Sequence, residues 1–184
     1  MRRYLFPKPY ADFVGRLRVP SGFLLVAAFA WLASPSPASL LAGVPVSICG
    51  LLLRAWAAGH LAKNQNLAMS GPYSYIRNPL YAGTLLVAAG LVIASRRWEL
   101  ALLFGAVFLF IYLPVIEQEE QHLRKLFPEF EGYAARVPLL FPLGRRADRG
   151  EVFRPSLYKK NQEYQALFGY LAGLAFLVWK SVRL

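Results

Sequence analysis

Apolar positions in this chain gather into blocks, and the polar positions gather between them. No long stretch shows the strict alternation that marks half-buried strands, so the pattern predicts helices. Five blocks qualify as candidate membrane spans: residues 20–33, 40–58, 79–95, 98–116 and 164–179. The first is short and needs a tilted extension or interfacial neighbours, whereas the second has the length that crosses a hydrocarbon core. "SPSPAS" (34–39) predicts a tight turn between them. "RRW" (96–98) is short enough to force the third and fourth blocks into an antiparallel hairpin. After the fourth block, Leu123, Leu126, Phe127 and Phe130 form a helical stripe interrupted by Pro128. That stripe predicts a broken helix lying along the bundle or the interface. The first block starts about twenty residues in and lacks a small-residue cleavage site, so it is not read as a signal peptide.

Composition turns this helical pattern into a membrane protein. Hydrophobic residues make up 57% of the 184 and charged residues 17%, too apolar a balance for a soluble domain. The fold class expected is an all-α integral membrane protein of about five transmembrane helices. The net charge of +11 does not indicate nucleic acid, because the basic residues flank apolar blocks and do not interleave with aromatics on a polar domain. Arg2, Arg3, Lys8, Arg16 and Arg18 precede the first block. Arg124, Lys125, Arg136, Arg145, Arg146, Arg149, Arg154, Lys159 and Lys160 lie between the fourth and fifth. Both groups predict that the N-terminus and the long polar segments face the cytoplasm, with Arg96 and Arg97 counting the other way. The single cysteine, Cys49, sits in an apolar block and offers neither a disulfide nor a thiolate metal cluster; no metal is expected.

The two long polar segments hold the unusual chemistry. The first, "GHLAKNQNLAMSGPYSYIRN" (59–78), carries His60, Lys63 and Asn64, turns at Gly71 and Pro72, and ends on Tyr73, Arg77 and Asn78. Asn78 before Pro79 reads as a helix N-cap followed by proline at the first helical position. The second begins "EQEEQHLRKLF", where Glu117, Glu119 and Glu120 follow apolar sequence directly. Carboxylates at a membrane boundary are costly unless paired or serving a ligand. Ordinary roles stand beside the functional ones. Taken alone, Arg77 reads as an arginine snorkelling to headgroups, and the tyrosines as an interfacial belt. Glu120 has Arg124 at i, i+4, and Glu163 has Lys159 at the same spacing. Ser156 is the expected cap of the last helix.

Together, "GHLAKN…LAMSGPYSYIRNPLYAG" and "EQEEQHLRKLFPEFEGYAARVPLLFP" resemble the membrane methyltransferase superfamily that includes isoprenylcysteine carboxyl methyltransferase and the phospholipid N-methyltransferases. The prokaryotic proteins under the isoprenylcysteine carboxyl methyltransferase family name are the nearer likeness, and it covers roughly residues 50–142. The likeness rests on the order of elements: G-x-Y-x-x-x-R-x-P-x-Y, a helical hairpin, E-E-x-x-L, an aromatic turn and V-x-x-x-x-P. The family's R-H-P motif falls on Arg77, Asn78 and Pro79, so Asn78 stands where the family has histidine. Pro128 stands where relatives often carry glycine.

This resemblance implies methyl transfer from S-adenosylmethionine to a lipidic small-molecule acceptor, in a cytoplasm-facing pocket built by the C-terminal half. It divides the chain into an N-terminal arm with two helices (1–58) and a methyltransferase core (59–184). Arg77, Asn78 and Tyr81 are then the candidates for the reacting centre, with Arg77 holding an anionic group of the acceptor. His60, Lys63, Asn64, Gly71, Tyr73, Glu119, Glu120 and Tyr133 are the candidates for the cofactor. Tyr81, Tyr112 and Tyr133 are alternatives for facing a sulfonium. The acceptor stays open between an isoprenylcysteine-type carboxylate, a phospholipid amine and a small thiol. A non-enzymatic membrane scaffold or assembly subunit is the competing class. No inverted repeat is visible, and the charges lie at one boundary, which argues against a transporter.

Overall fold

The structure, a computed structural model, describes residues 5–142, 150 and 152–183. Arg2, Arg3, Arg145, Arg146 and Arg149, counted above among the flanking cations, lie outside the described residues. Every regular element described is helical.

Helix α1 spans Lys8–Leu32, so the short first block is only the second half of a longer helix. It runs unbroken through Pro20, whose missing N–H removes one internal bond; beside it the Ser21 hydroxyl bonds back to the Arg18 carbonyl at 3.0 Å. The first half escapes an apolar-run criterion because Asp12, Arg16 and Arg18 interrupt it. The expected turn follows, and Ser36 and Ser39 close a reciprocal capping box at the start of α2 (Pro37–Ala58).

Helix α3 (Pro79–Ser95) packs antiparallel against α2 along a seam of small residues. Gly43, Ser47 and Gly50 of α2 face Gly90, Val87 and Gly83 of α3. Ser47 donates to the Val87 carbonyl at 3.0 Å, which needs backbones closer than larger side chains permit. Arg96, in the left-handed region at φ 56°, stops α3 and turns the chain into α4 (Trp98–Val107), giving the expected hairpin.

From α4 the chain passes through one π-helical turn (Phe108–Tyr112) into α5 (Leu113–Leu126). The result is one rod of 29 residues, ten longer at its end than the block 98–116. Pro114 has no N–H for the Phe110 carbonyl, and the Tyr10 hydroxyl fills that place at 2.7 Å. The broken stripe appears as the end of α5 followed by the short α6 (Phe130–Ala134). Short α7 (Pro155–Lys160) and long α8 (Tyr164–Arg183) complete the described chain.

Among the described residues, four helices are long and apolar enough to cross a membrane: α1, α2, the α4–α5 rod and α8. The fifth expected span, α3, has 17 residues and reaches about 25 Å, somewhat short of a hydrocarbon core. At one end of the bundle Ala33, Ala94 and Leu177 pack together, and Lys180 donates to the carbonyls of Ala30 and Trp31. Both long polar segments lie at the other end.

Candidate functional site

The site forms where the two polar segments meet at the start of α3. The backbone N–H groups of Arg77 and Asn78 donate to the carbonyls of Pro138 and Leu139 at 2.8 and 3.1 Å, stapling α3 to the chain beyond α6. A cluster of Leu67, Met69, Phe130, Tyr133, Ala134 and Val137 forms the floor beneath. The Tyr133 hydroxyl donates to the Tyr73 carbonyl at 2.7 Å. Burial pushes the phenols of both Tyr73 and Tyr133 well above their ordinary range, so both remain neutral donors.

Over this floor lies a polar cavity of about 780 Å³. Three arginine–glutamate pairs surround it, each joining two elements. Arg77 Nε lies 2.8 Å from Glu120 of α5, and both side chains are only 11% exposed. That N–H is not aimed along the contact, so the pair is held by charge more than by a hydrogen bond. Arg77 Nη1 donates to the Ala134 carbonyl at 2.8 Å. Arg54 of α2 meets Glu163, just ahead of α8, at 2.5 Å, and also donates to Thr84 and the Leu80 carbonyl. Arg18 of α1 approaches Glu119 at 3.6 Å, and both of these side chains are nearly half exposed. The Tyr81 hydroxyl donates to Glu119 at 2.9 Å, and Tyr112 meets the Tyr81 ring edge-on at 6.2 Å.

Lys63, Asn64, Tyr73, Arg77, Asn78, Tyr81, Glu119, Glu120 and Tyr133 all line this cavity. His60 and Gly71 do not. His60 is buried, with Nδ1 3.0 Å from the Trp56 carbonyl oxygen, and its ring fills the space a side chain at Gly71 would need. Gly71 sits at φ 56°, so this pair is a turn with an imidazole packed into it.

Several local expectations give way to tertiary ones. Asn78 stands at the N-cap position, yet its side chain makes no capping bond and donates to Glu120 at 3.1 Å. Glu120 takes Arg77 and not Arg124, which pairs with Glu131. Glu163 takes Arg54 and not Lys159, because the turn at Gln162, φ 55°, directs it into the bundle. Ser156 lies inside α7 and is exposed; it caps no part of α8. Arg77, with its charge paired to Glu120 and Nη1 bonded to the Ala134 carbonyl, does not present a free fork for an anion. The sequence reading missed Arg54 altogether, although a charge inside an otherwise apolar span is itself a functional signal. Arg18 carried no such mark among the flanking cations.

Across the segment 72–86 lies a second, apolar cavity of about 870 Å³ between α2, α3 and α4. Tyr73, Arg77, Tyr81 and Thr84 face the polar side of this segment, and Pro72, Ile76, Leu85 and Leu86 the apolar side.

A family model described as phospholipid methyltransferase matches residues 38–129, from the start of α2 to just past α5. The cobalt-zinc-cadmium resistance protein CzcN of Cupriavidus metallidurans is 37% identical over 102 residues, 54% of this chain and 46% of that protein. The nickel-cobalt-cadmium resistance protein NccN of Alcaligenes xylosoxydans xylosoxydans is 32% identical over 140 residues, 74% of this chain and 59% of that protein. The chain thus spans about half the length of the curated relatives it matches. No solved structure matches it.

Proposed function

The chain belongs to the phospholipid methyltransferase family, and from that premise we propose that it is a membrane-embedded, S-adenosylmethionine-dependent methyltransferase acting on a lipidic or apolar acceptor. The observation that carries this reading is the convergence of Arg77, Asn78 and Tyr81 with Glu119 and Glu120 around one polar cavity at the end of an apolar bundle.

The residues fit the cofactor. A nucleoside with an amino-acid tail needs several hundred cubic ångströms and a mixed donor and acceptor lining, and the cavity offers about 780 Å³ with both. Glu119 accepts hydroxyl or ammonium hydrogen bonds, and Lys63, Asn64 and Asn66 at the rim supply donors. When bound, the cofactor supplies an electrophilic methyl group. The protein's part is alignment and exclusion of water, which needs no nucleophilic serine or cysteine. Arg77 and Glu120 hold the start of α3 against α5 and fix the cavity's shape. The apolar cavity beyond the 72–86 wall would take the hydrocarbon part of an acceptor arriving from the lipid. His122, also on the polar wall, is placed to accept a proton from an amine or thiol acceptor, so the acceptor atom is not restricted to a carboxylate oxygen. In this reading the polar end faces the cytoplasm, where the cofactor is.

The relatives' names concern resistance to cobalt, zinc, cadmium and nickel in those proteins. The deciding measurement is the melting temperature of detergent-solubilised protein. S-adenosylmethionine is expected to raise it in a concentration-dependent way, because a ligand that binds only the folded state stabilises it. No shift at millimolar cofactor would favour a non-enzymatic membrane subunit.

A further inference from the structure

Among the described residues that line the cavity, Arg18 is the arginine held most loosely. Arg54 and Arg77 each have a carboxylate within 2.8 Å and further hydrogen bonds. The guanidinium of Arg18 makes no hydrogen bond among the described residues. It lies 5.6 Å from the Tyr81 ring centre, 5.8 Å from that of Tyr112 and 3.6 Å from Glu119. Two ring faces and a carboxylate make a receptor for a diffuse cation.

The two rings of the receptor are built more firmly than the occupant is held, while Glu119 is as exposed as Arg18 and is steadied by the Tyr81 hydroxyl. Tyr81 is buried on α3 and bonded to Glu119. Tyr112 closes the π-helical turn, a local departure from the α register that often marks functional positions. Arg18 by contrast reaches in from α1 on a flexible side chain that is 45% exposed. Were it to withdraw, Glu119 and two ring faces would remain without a cation, while the other two carboxylates of the cavity kept their arginines.

We infer that Tyr81, Tyr112 and Glu119 form a cation-binding corner for a sulfonium or ammonium ligand, and that Arg18 is its resident occupant, displaced when such a ligand binds. The inference rests on the methyltransferase reading and gives it a direction. A sulfonium competes with Arg18 for the corner. The thioether left after methyl transfer is neutral, because the bonding electron pair stays on sulfur, and so Arg18 returns. The corner, with the sulfur seated in it, therefore distinguishes the sulfonium of the cofactor from the neutral thioether of the spent product.

Calorimetric titration of the 184-residue chain in detergent tests this with S-adenosylmethionine, S-adenosylhomocysteine and tetramethylammonium chloride. Arg18→Gln is expected to tighten S-adenosylmethionine binding by about three- to tenfold, the scale of one cation–π contact, and to change S-adenosylhomocysteine by less than about twofold. Arg18→Lys keeps the competing charge and should resemble the wild type. Tyr112→Leu, which leaves α1 untouched, should weaken the charged ligand selectively. If both nucleosides bind and Arg18→Gln leaves their ratio unchanged or weakens S-adenosylmethionine, the inference fails and the methyltransferase reading stands. If neither nucleoside binds any variant but Arg18→Gln gains tetramethylammonium binding, the corner stands and the methyltransferase reading fails. If no probe binds any variant, both fail.

Discussion

Glu119 and Glu120 are neighbours in sequence and about 100° apart around α5, and that angle separates their roles. Glu120 points inward to Arg77 and Asn78, while Glu119 opens onto the cavity beside Tyr81. Removing one partner of a buried pair leaves the other charge uncompensated, at about 3–5 kcal/mol. Glu120→Gln is therefore expected to lower unfolding stability by an amount of that order, and Glu119→Gln, at a half-exposed site, by less than about 1 kcal/mol. Chemical denaturation in detergent compares the two, and equal losses would contradict the division. Asn78 gives a sharper test, because a capping asparagine tolerates aspartate and one donating to Glu120 does not. Asn78→Asp places two carboxylates together, which raises the folded-state pKa of one of them. The penalty is then greatest at neutral pH and shrinks as pH falls into the carboxyl range. Asn78→His keeps an N–H for Glu120 and should be the milder change. Full stability of Asn78→Asp at pH 7 would restore the capping role.

At the scale of elements, the α2–α3 seam sets the width of the wall on which Arg54, Arg77 and Tyr81 stand. A Cβ at Gly50 would come within 2.6 Å of the Gly83 carbonyl oxygen and 2.7 Å of the Val87 nitrogen, backbone atoms that have no rotamer by which to yield. Gly105 in α4 has nothing within 4 Å of the same position. The two substitutions to alanine should thus differ in sign. Gly105→Ala gains helix propensity of up to about 1 kcal/mol, whereas Gly50→Ala must part the helices at about 1–3 kcal/mol. Unfolding midpoints of the two variants in one detergent read this directly. A stabilised Gly50→Ala protein would mean that the helices are not packed this closely.

For the whole molecule, the arrangement of ends makes orientation testable. The turn 33–36, the hairpin at Arg96 and Arg97, and the end of α8 share one end, and the cavity with segment 59–78 and α7 shares the other. The proposed orientation predicts that, in a Cys49→Ser background, Arg97→Cys reacts with a membrane-impermeant maleimide in intact cells. Lys160→Cys should react only after permeabilisation; the opposite pattern would invert the topology. Both positions are exposed, so failure to label reports the side of the membrane and not burial.

The sequence by itself determined the helices, the hairpin and the two polar segments that line the polar cavity. Helix formation is satisfied within one segment, and a membrane span needs only a sufficiently long apolar run, so both can be read locally. Even there, charged residues misled the boundaries: α1 begins twelve residues ahead of the apolar block because Asp12, Arg16 and Arg18 interrupt its first half, and the α4–α5 rod runs ten residues past position 116 into the glutamates. The tertiary structure alone decided who pairs with whom. Glu120, Glu163 and Arg124 each passed over or lost an i, i+4 neighbour, His60 was drawn into packing against Gly71, and Arg18 and Arg54 joined the cavity from helices outside the two polar segments. The physical reason is that a charged side chain reaches several ångströms in any direction. A local partner in water contributes only a few tenths of a kcal/mol, while a desolvated charge left without a partner costs several. The choice of partner is therefore made by whichever helix arrives beside the buried group, and sequence spacing does not record that arrival.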